Sequence, residues 1–166
     1  LGLPRPPGSR MAAVMERTIG PAVAALNAAR LARPRPAAEL DFGTPPAAPR
    51  ISVVVPLHGR VDFMELQLAL FSARPDPRVE LIYVLDDPRR REEAERLALA
   101  AEARFALPFR LVILEENLGF APACNEGAKR ARAPILCLLN SDVFPLADQG
   151  MGAFAPLAAR LAADPG

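Results

Sequence analysis

The sequence predicts an α/β domain built on a largely parallel sheet, and three features carry that prediction. From Arg50 onward, short β-branched apolar runs alternate with helical segments. The connections, about 10 to 17 residues long, suit right-handed β-α-β crossovers rather than hairpins. Each strand-like run also ends in a polar cluster, as expected where an open α/β sheet binds a ligand beyond the carboxyl ends of its strands. The 166 residues suffice for one proper core and are too few for two comfortable ones.

Taken in order, residues 1–9 are rich in Pro and Gly and are expected to be disordered. Residues 10–33 contain good helix formers, which Gly20-Pro21 should split into two short helices. Residues 34–49 hold five prolines and read as an extended linker or wrapping arm. A helical and Pro-rich arm, residues 1–47, is therefore expected to precede a domain of residues 48–166. The start at Leu1-Gly2-Leu3, without Met, suggests a piece cut from a longer protein.

Residues 51–55 (ISVVV) form a buried strand closed by Pro56. Asp62 with Glu65 gives a capping-box-like start to a helix reaching about Arg74, with Phe63, Leu66 and Leu70 on one face. Residues 79–85 (VELIYVL) are the second strand. Residues 89–105 form a charged, Ala-rich helix with Leu97 and Ala101 among its apolar positions. Residues 110–114 (RLVIL) are the third strand, 121–132 the next helix, and 135–139 the fourth strand.

A net charge of +1 provides no global field for nucleic acid or an anionic membrane. The basic clusters Arg89-Arg90-Arg91 and Lys129, Arg130 and Arg132 read as solvated helix faces. Cys124 and Cys137 offer neither a disulfide framework nor metal-ligand spacing, and Cys137 sits as a small hydrophobe within a strand. A reduced, cytoplasmic protein is the expectation, including a place at the inner face of the cell membrane. No stretch reaches the roughly 18 apolar residues of a membrane span. Neither G-x-x-x-x-G-K-[ST] nor G-x-G-x-x-G occurs at the first strand-to-helix turn, so a dinucleotide fold of the usual kind is not expected.

The four strands exit into Pro56-Leu57-His58-Gly59-Arg60, Asp86-Asp87-Pro88, Glu115-Glu116-Asn117-Leu118-Gly119 and Asn140-Ser141-Asp142. In a parallel sheet these exits share one edge. Carboxylates gathered there repel one another unless a cation lies between them or a ligand supplies donors. The oxygens of Asp142 and its neighbours suit Mg²⁺ or Mn²⁺, which keeps several waters and completes its shell with phosphate oxygens. Asp86 and Asp87 suit the donors of a nucleobase or ribose. Plainer readings stand beside these: His58 as a loop residue, the paired acids as caps of the following helix, Asn117 and Asn140-Ser141-Asp142 as turns, and Asn125 on a helix surface.

The runs "ISVVVPLHGR" (51–60), "ELIYVLDDP" (80–88) and "ENLGFAPACNEGAKRARAPILCLLNSDV" (116–143) resemble, in order and spacing, the family 2 glycosyltransferases of the GT-A fold. The last run is similar to the branch containing rhamnosyltransferase-type enzymes, and the likeness covers about residues 48–146. It implies a GT-A, Rossmann-like, mostly parallel sheet flanked by helices and truncated on the acceptor side. By position it implies a nucleotide pocket lined by Pro56, Leu57 and His58, with Asp86 and Asp87 on the base and ribose. Asn117, Gly119, Asn125 and Asn140 would shape the wall near the donor, and Asp142 would be the main metal ligand. Gly59, Pro88, Arg89 and Asn140 depart from the family's usual residues.

The implied reaction is inverting transfer of a sugar from a dTDP-, UDP- or GDP-sugar to a glycan or lipid-linked acceptor. The cofactor would be Mg²⁺ or Mn²⁺, and the setting bacterial polysaccharide or glycolipid synthesis. The half that holds the family's catalytic base has no counterpart here. The alternative is a truncated, non-catalytic nucleotide-sugar-binding module. A nucleotidyltransferase would want a Gly-rich first loop, and "PLHGRVDF" supplies only Gly59 and Arg60.

Overall fold

The computed structural model describes residues 17, 19–32, 36–146 and 149–163. The chain divides into two units, Leu1–Arg35 and Pro36–Gly166. In the first, helix α1 (Gly20–Ala32) starts at the Gly20-Pro21 pair. Proline is accepted there because first-turn N–H groups have no helical acceptor. The expected disorder of residues 1–9 and the helix expected before Gly20 lie outside the described residues, apart from positions 17 and 19.

The second unit carries strands β1 (Ala37–Phe42), β2 (Ile51–Leu57), β3 (Val79–Leu85), β4 (Phe109–Leu114) and β5 (Ile135–Leu138). Its helices are α2 (Asp62–Ser72), α3 (Arg91–Phe105), α4 (Phe120–Ala128) and α5 (Ala155–Ala163). The sheet order is β1-β4-β3-β2-β5, parallel except for β1, which runs antiparallel to β4. This is the mostly parallel, helix-flanked sheet that the alternation predicts.

One sheet face, including Val53, Val55, Leu81, Tyr83 and Leu111, packs against Met64, Leu68 and Phe71 of α2 and Ala94, Ala98 and Ala101 of α3. The other face, through Val54, Ile82, Val84 and Val112, meets Ala123 of α4. Gly127 of α4 approaches this face so closely that an added Cβ would overlap Val54 and lie 2.8 Å from Val84 Cγ2. On β5 that face is uncovered: Leu136 and Leu138 are 43% and 54% exposed.

β2 continues through Pro56 and Leu57 instead of closing at residue 55. The ladder explains why. Val54 accepts from Leu139 on the β5 side, whereas Leu57 accepts from Asp86 on the β3 side. Pro56 therefore faces β5, whose pairing with β2 ends at Val54–Leu138, and its missing N–H costs no ladder bond.

Four further expectations change. Residues 37–42, read as linker or wrapping arm, form an edge strand with Leu40 and Phe42 turned to the core. Phe42 stacks on Phe109 at 4.7 Å, while Asp41 and Glu39 accept from Arg110 and Arg130, each at 2.7 Å. The capping box at Asp62 and Glu65 does not form. Val61 is the cap residue and its hydrocarbon side chain has no acceptor to offer, while Asp62 takes Arg60 and Glu65 takes Arg104. The buried face of α2 is Met64, Leu68 and Phe71, not Phe63, Leu66 and Leu70; Leu66 is 50% exposed. Finally, Lys129 and Arg132 are exposed, at 55% and 40%, but with Arg130 they are more than a solvated face. Lys129 and Arg130 hold buried Glu126, and Arg132 holds buried Glu80. Arg89, Arg90 and Arg91 do form an exposed face, each paired with a nearby acid.

The amino ends of β2 and β3 are locked by a polar cluster. Glu80 accepts from Ser52 Oγ at 2.6 Å, from the Arg132 amide at 3.0 Å and from Arg132 Nε at 2.6 Å. Ser52 Oγ accepts in turn from the Ala133 amide at 3.1 Å. Burial opposes ionisation of Glu80, but these donors together hold its carboxyl below the usual carboxylate range.

Candidate functional site

The carboxyl ends of β2, β3, β4 and β5 converge on one open cleft of about 460 Å³. Pro56, His58 and Arg60 line it from the β2 exit, Asp86 from β3, and Asn117 and Gly119 from β4. Asn140, Ser141 and Asp142 line it from β5, with Phe63 of α2 and Phe120 of α4. Four strands thus bring to one place the polar groups that lie far apart in sequence.

Asp86 organises much of this wall. It is 3% exposed, and its two carboxylate oxygens accept from the amides of Leu118 at 2.6 Å and Gly119 at 2.8 Å. Asn117 Oδ1 also accepts from the Gly119 amide, at 3.1 Å. Gly119 sits at φ 87°, ψ 168°, a conformation that glycine adopts without strain, and from there the chain turns into α4. His58 Nδ1 donates to the Asp86 carbonyl at 3.1 Å, which leaves Nε2 of the neutral ring as an acceptor.

The β5 exit is held from below by Gln67. This α2 residue is fully buried, and its Nε2 donates to the carbonyls of Asn140 at 3.1 Å and Val143 at 2.8 Å. Val143 donates back to the Asn140 carbonyl, closing a turn that presents Asp142 to the cleft. Asp142 is exposed and makes no side-chain hydrogen bond among the described residues. Also among the described residues, no three His, Cys, Asp or Glu side chains gather into a metal-binding group. The donors at this exit are a carboxylate, a hydroxyl and an amide. That set fits a hard cation that takes its other ligands from water and phosphate, not one caged by protein.

Three expected site residues stand apart from the cleft walls. Leu57 is fully buried in the core. Asp87 is buried beside Arg89 Nε at 3.3 Å and caps nothing with its side chain, so the capping reading of the paired acids is not what forms. Asn125 lies exposed on α4. Conversely, Arg60, Phe63, Phe120 and Gln67 enter the site without having been assigned to it. Gln67 carried a signal, an amide inside the apolar run "FMELQLALF" of a helix that faces the core. Cys124 and Cys137 are packing residues whose thiols burial pushes up, away from reactive thiolate.

The profile of the family described as "Glycosyl transferase family 2" matches residues 52–155. Among solved structures, the chain is similar to a mannosyltransferase, PcManGT, from Pyrobaculum calidifontis in complex with GDP-Man and Mn²⁺. The identity there is 23% and the TM-score 0.52, over 84% of this chain and 40% of that one. It is also similar to S. aureus TarS 1-349, with 21% identity and TM-score 0.51 over 69% of this chain and 32% of that one. A TarS complex with UDP-GlcNAc matches at 20% identity and TM-score 0.50, over 67% and 31% of the two chains. These likenesses show the fold, and the chain spans well under half the length of either protein. No curated protein sequence matches the chain significantly. No described helix is long and apolar enough to cross a membrane.

Proposed function

The chain belongs to glycosyl transferase family 2, and from that premise we propose that its cleft holds the nucleotide-diphosphate sugar of an inverting, metal-assisted sugar transfer. The carrying observation is the convergence of four parallel strand exits on one polar cleft of about 460 Å³. That volume suits a ligand of nucleotide size.

Each wall has a task in this reading. Asp86, with Asp87 behind it, orders the β3 and β4 exits around the base and ribose. Asn117 and Gly119 border the same end, and Pro56 and His58 form the floor at β2. Asn140, Ser141 and Asp142 would hold a Mg²⁺ or Mn²⁺ ion, which when bound neutralises charge on the departing nucleoside diphosphate. Binding at the β5 exit contributes most where it is stronger in the transition state than in the ground state. The acceptor hydroxyl attacks the anomeric carbon, and the group that takes its proton is not assigned among the cleft residues. Synthesis of cell-surface polysaccharide or glycolipid is the proposed setting, with dTDP-, UDP- or GDP-sugars as donors, a rhamnosyl donor among them, and a glycan or lipid-linked acceptor.

The second reading is a binding module without turnover, since no residue lining the cleft is assigned as the base that takes the acceptor's proton. Titration calorimetry of the chain with UDP, GDP and dTDP, with and without Mn²⁺, beside Asp142→Ala, tests the site. Binding of one nucleotide that Mn²⁺ strengthens and Asp142→Ala weakens at least tenfold is expected. A folded chain that binds none of the three contradicts the proposal. Release of free nucleoside diphosphate from the matching nucleotide sugar separates the transferase from the binder.

A further inference from the structure

The cleft has two chemically different ends. At the β3 and β4 exits its walls are Asn117, Gly119 and a carboxylate, Asp86, already engaged by two amides. At the β2 and β5 exits stand Arg60 and Asp142. Among the described residues Arg60 is the one Arg or Lys side chain lining the cleft.

Arg60 is held loosely in position, aimed but not committed. Its Nε and Nη2 donate to Asp62 at 2.8 and 2.7 Å, yet the two side chains are 64% and 46% exposed, so the pair is weak and easily exchanged. Its guanidinium lies 4.3 Å over the Phe63 ring. Phe63 in turn meets Phe144 edge-on at 5.7 Å, in the segment that follows Asp142. The stacked ring sets how far the guanidinium stands from the β5 exit, while its edge can turn from Asp62 to another anion. A planar fork of N–H donors matches phosphate oxygens in pairs.

The charge balance asks for such a group. A divalent ion held by the single carboxylate of Asp142 leaves one net positive charge, against a diphosphate that carries more than one negative.

We propose that Arg60 is a diphosphate-binding residue of this cleft, giving a nucleoside diphosphate a grip that does not depend on metal. This rests on the reading of the cleft as a donor site and extends it to Arg60.

The test is titration calorimetry of the 166-residue chain in EDTA, with UDP, GDP, their nucleosides and inorganic pyrophosphate as probes. Wild type should prefer the bound diphosphate to its nucleoside, and Arg60→Gln should lose about 10- to 100-fold of diphosphate affinity, the range for hydrogen bonds to a charged group. Nucleoside affinity and melting temperature should not move, and Arg60→Lys should recover part of the loss. A diphosphate preference that survives in Arg60→Gln, or is absent from wild type in EDTA, overturns the proposal. If nucleotides still bind with Mn²⁺ in that case, the donor-site reading stands without it. Failure of every nucleotide to bind, with or without Mn²⁺, overturns both.

Discussion

The two ends of the sheet both carry acidic side chains, and they treat them in opposite ways. At the amino ends of β2 and β3, Glu80 is buried and fully engaged by Ser52 and by the amide and guanidinium of Arg132. At the carboxyl ends, Asp142 is exposed on a turn and carries no side-chain bond among the described residues. A buried acid must be partnered to offset its desolvation, so its geometry reports stability. An acid left unpartnered at the mouth of a cleft keeps its lone pairs for something else. Asp86 stands between the extremes: it lines the cleft, yet both of its oxygens are taken by backbone amides. Lining a cleft and being available to a ligand are thus separate properties.

The contrast predicts a graded set of outcomes. Gly127→Ala should cost the most, about 3 kcal/mol, because a Cβ driven against Val54 and Val84 overpacks the sheet face. Urea unfolding measures it, and a cost below 1 kcal/mol would mean that α4 rides more loosely on the sheet than the contact implies. Glu80→Gln should follow at about 2 kcal/mol, since one partner of a buried pair is removed while partly exposed Arg132 recovers some hydration. It should leave ligand affinity unchanged, which is the point of the comparison.

Glu80 also gives a pH signature. Its folded pKa lies below its value of 4.5 in the unfolded chain, so the folded state binds fewer protons in the window between the two. Its contribution is therefore complete above about pH 4.5 and is lost as pH falls through the lower folded value. Acid unfolding of Glu80→Gln should lack that part of the slope.

Asp86→Asn should cost about 1–2 kcal/mol, because one amide oxygen replaces two carboxylate acceptors and an NH₂ group is set against the Gly119 N–H, which then keeps only Asn117 Oδ1. Unlike Glu80→Gln it should also weaken ligand binding, through the displaced 117–119 loop. Tyr83→Phe should have the smallest effect, between neutral and about 1 kcal/mol stabilising. The Tyr83 hydroxyl is buried with no partner among the described residues, so its removal deletes a cost rather than a bond. A marked loss of stability in that variant would reveal a hydrogen bond that the geometry lacks.

Much of this contrast was legible in the sequence, though unevenly. Long apolar runs such as "VELIYVL" identify buried strands because a strand covered on both faces has no polar alternation to confuse with a helix. Their exits located the cleft. β1 was hidden because prolines on either side dominate the composition, although Glu39-Leu40-Asp41-Phe42 alternates as a half-buried strand should. The capping box at Asp62 and Glu65 lost to Arg60, two residues before Asp62, and to Arg104 on α3, 39 residues from Glu65, a pairing that local pattern does not encode. The same reason hid the roles of Arg130 and Arg132, whose partners lie 91 and 52 residues away. Which acids at an exit are engaged and which are free is likewise a tertiary property: the pair Asp86-Asp87 gives no hint that the amides of Leu118 and Gly119 bind the first.

Backbone-amide chemical-shift mapping during titration with the nucleoside diphosphate that binds best, in Mn²⁺-free buffer with Mg²⁺, tests the division of labour most directly. Shifts should concentrate in 58–60, 86–87, 117–120 and 140–142, and residues 52, 80, 132 and 133 should stay still. Shifts centred on the Glu80 cluster, or spread evenly over the sheet, would contradict the claim that one end of this sheet binds while the other holds.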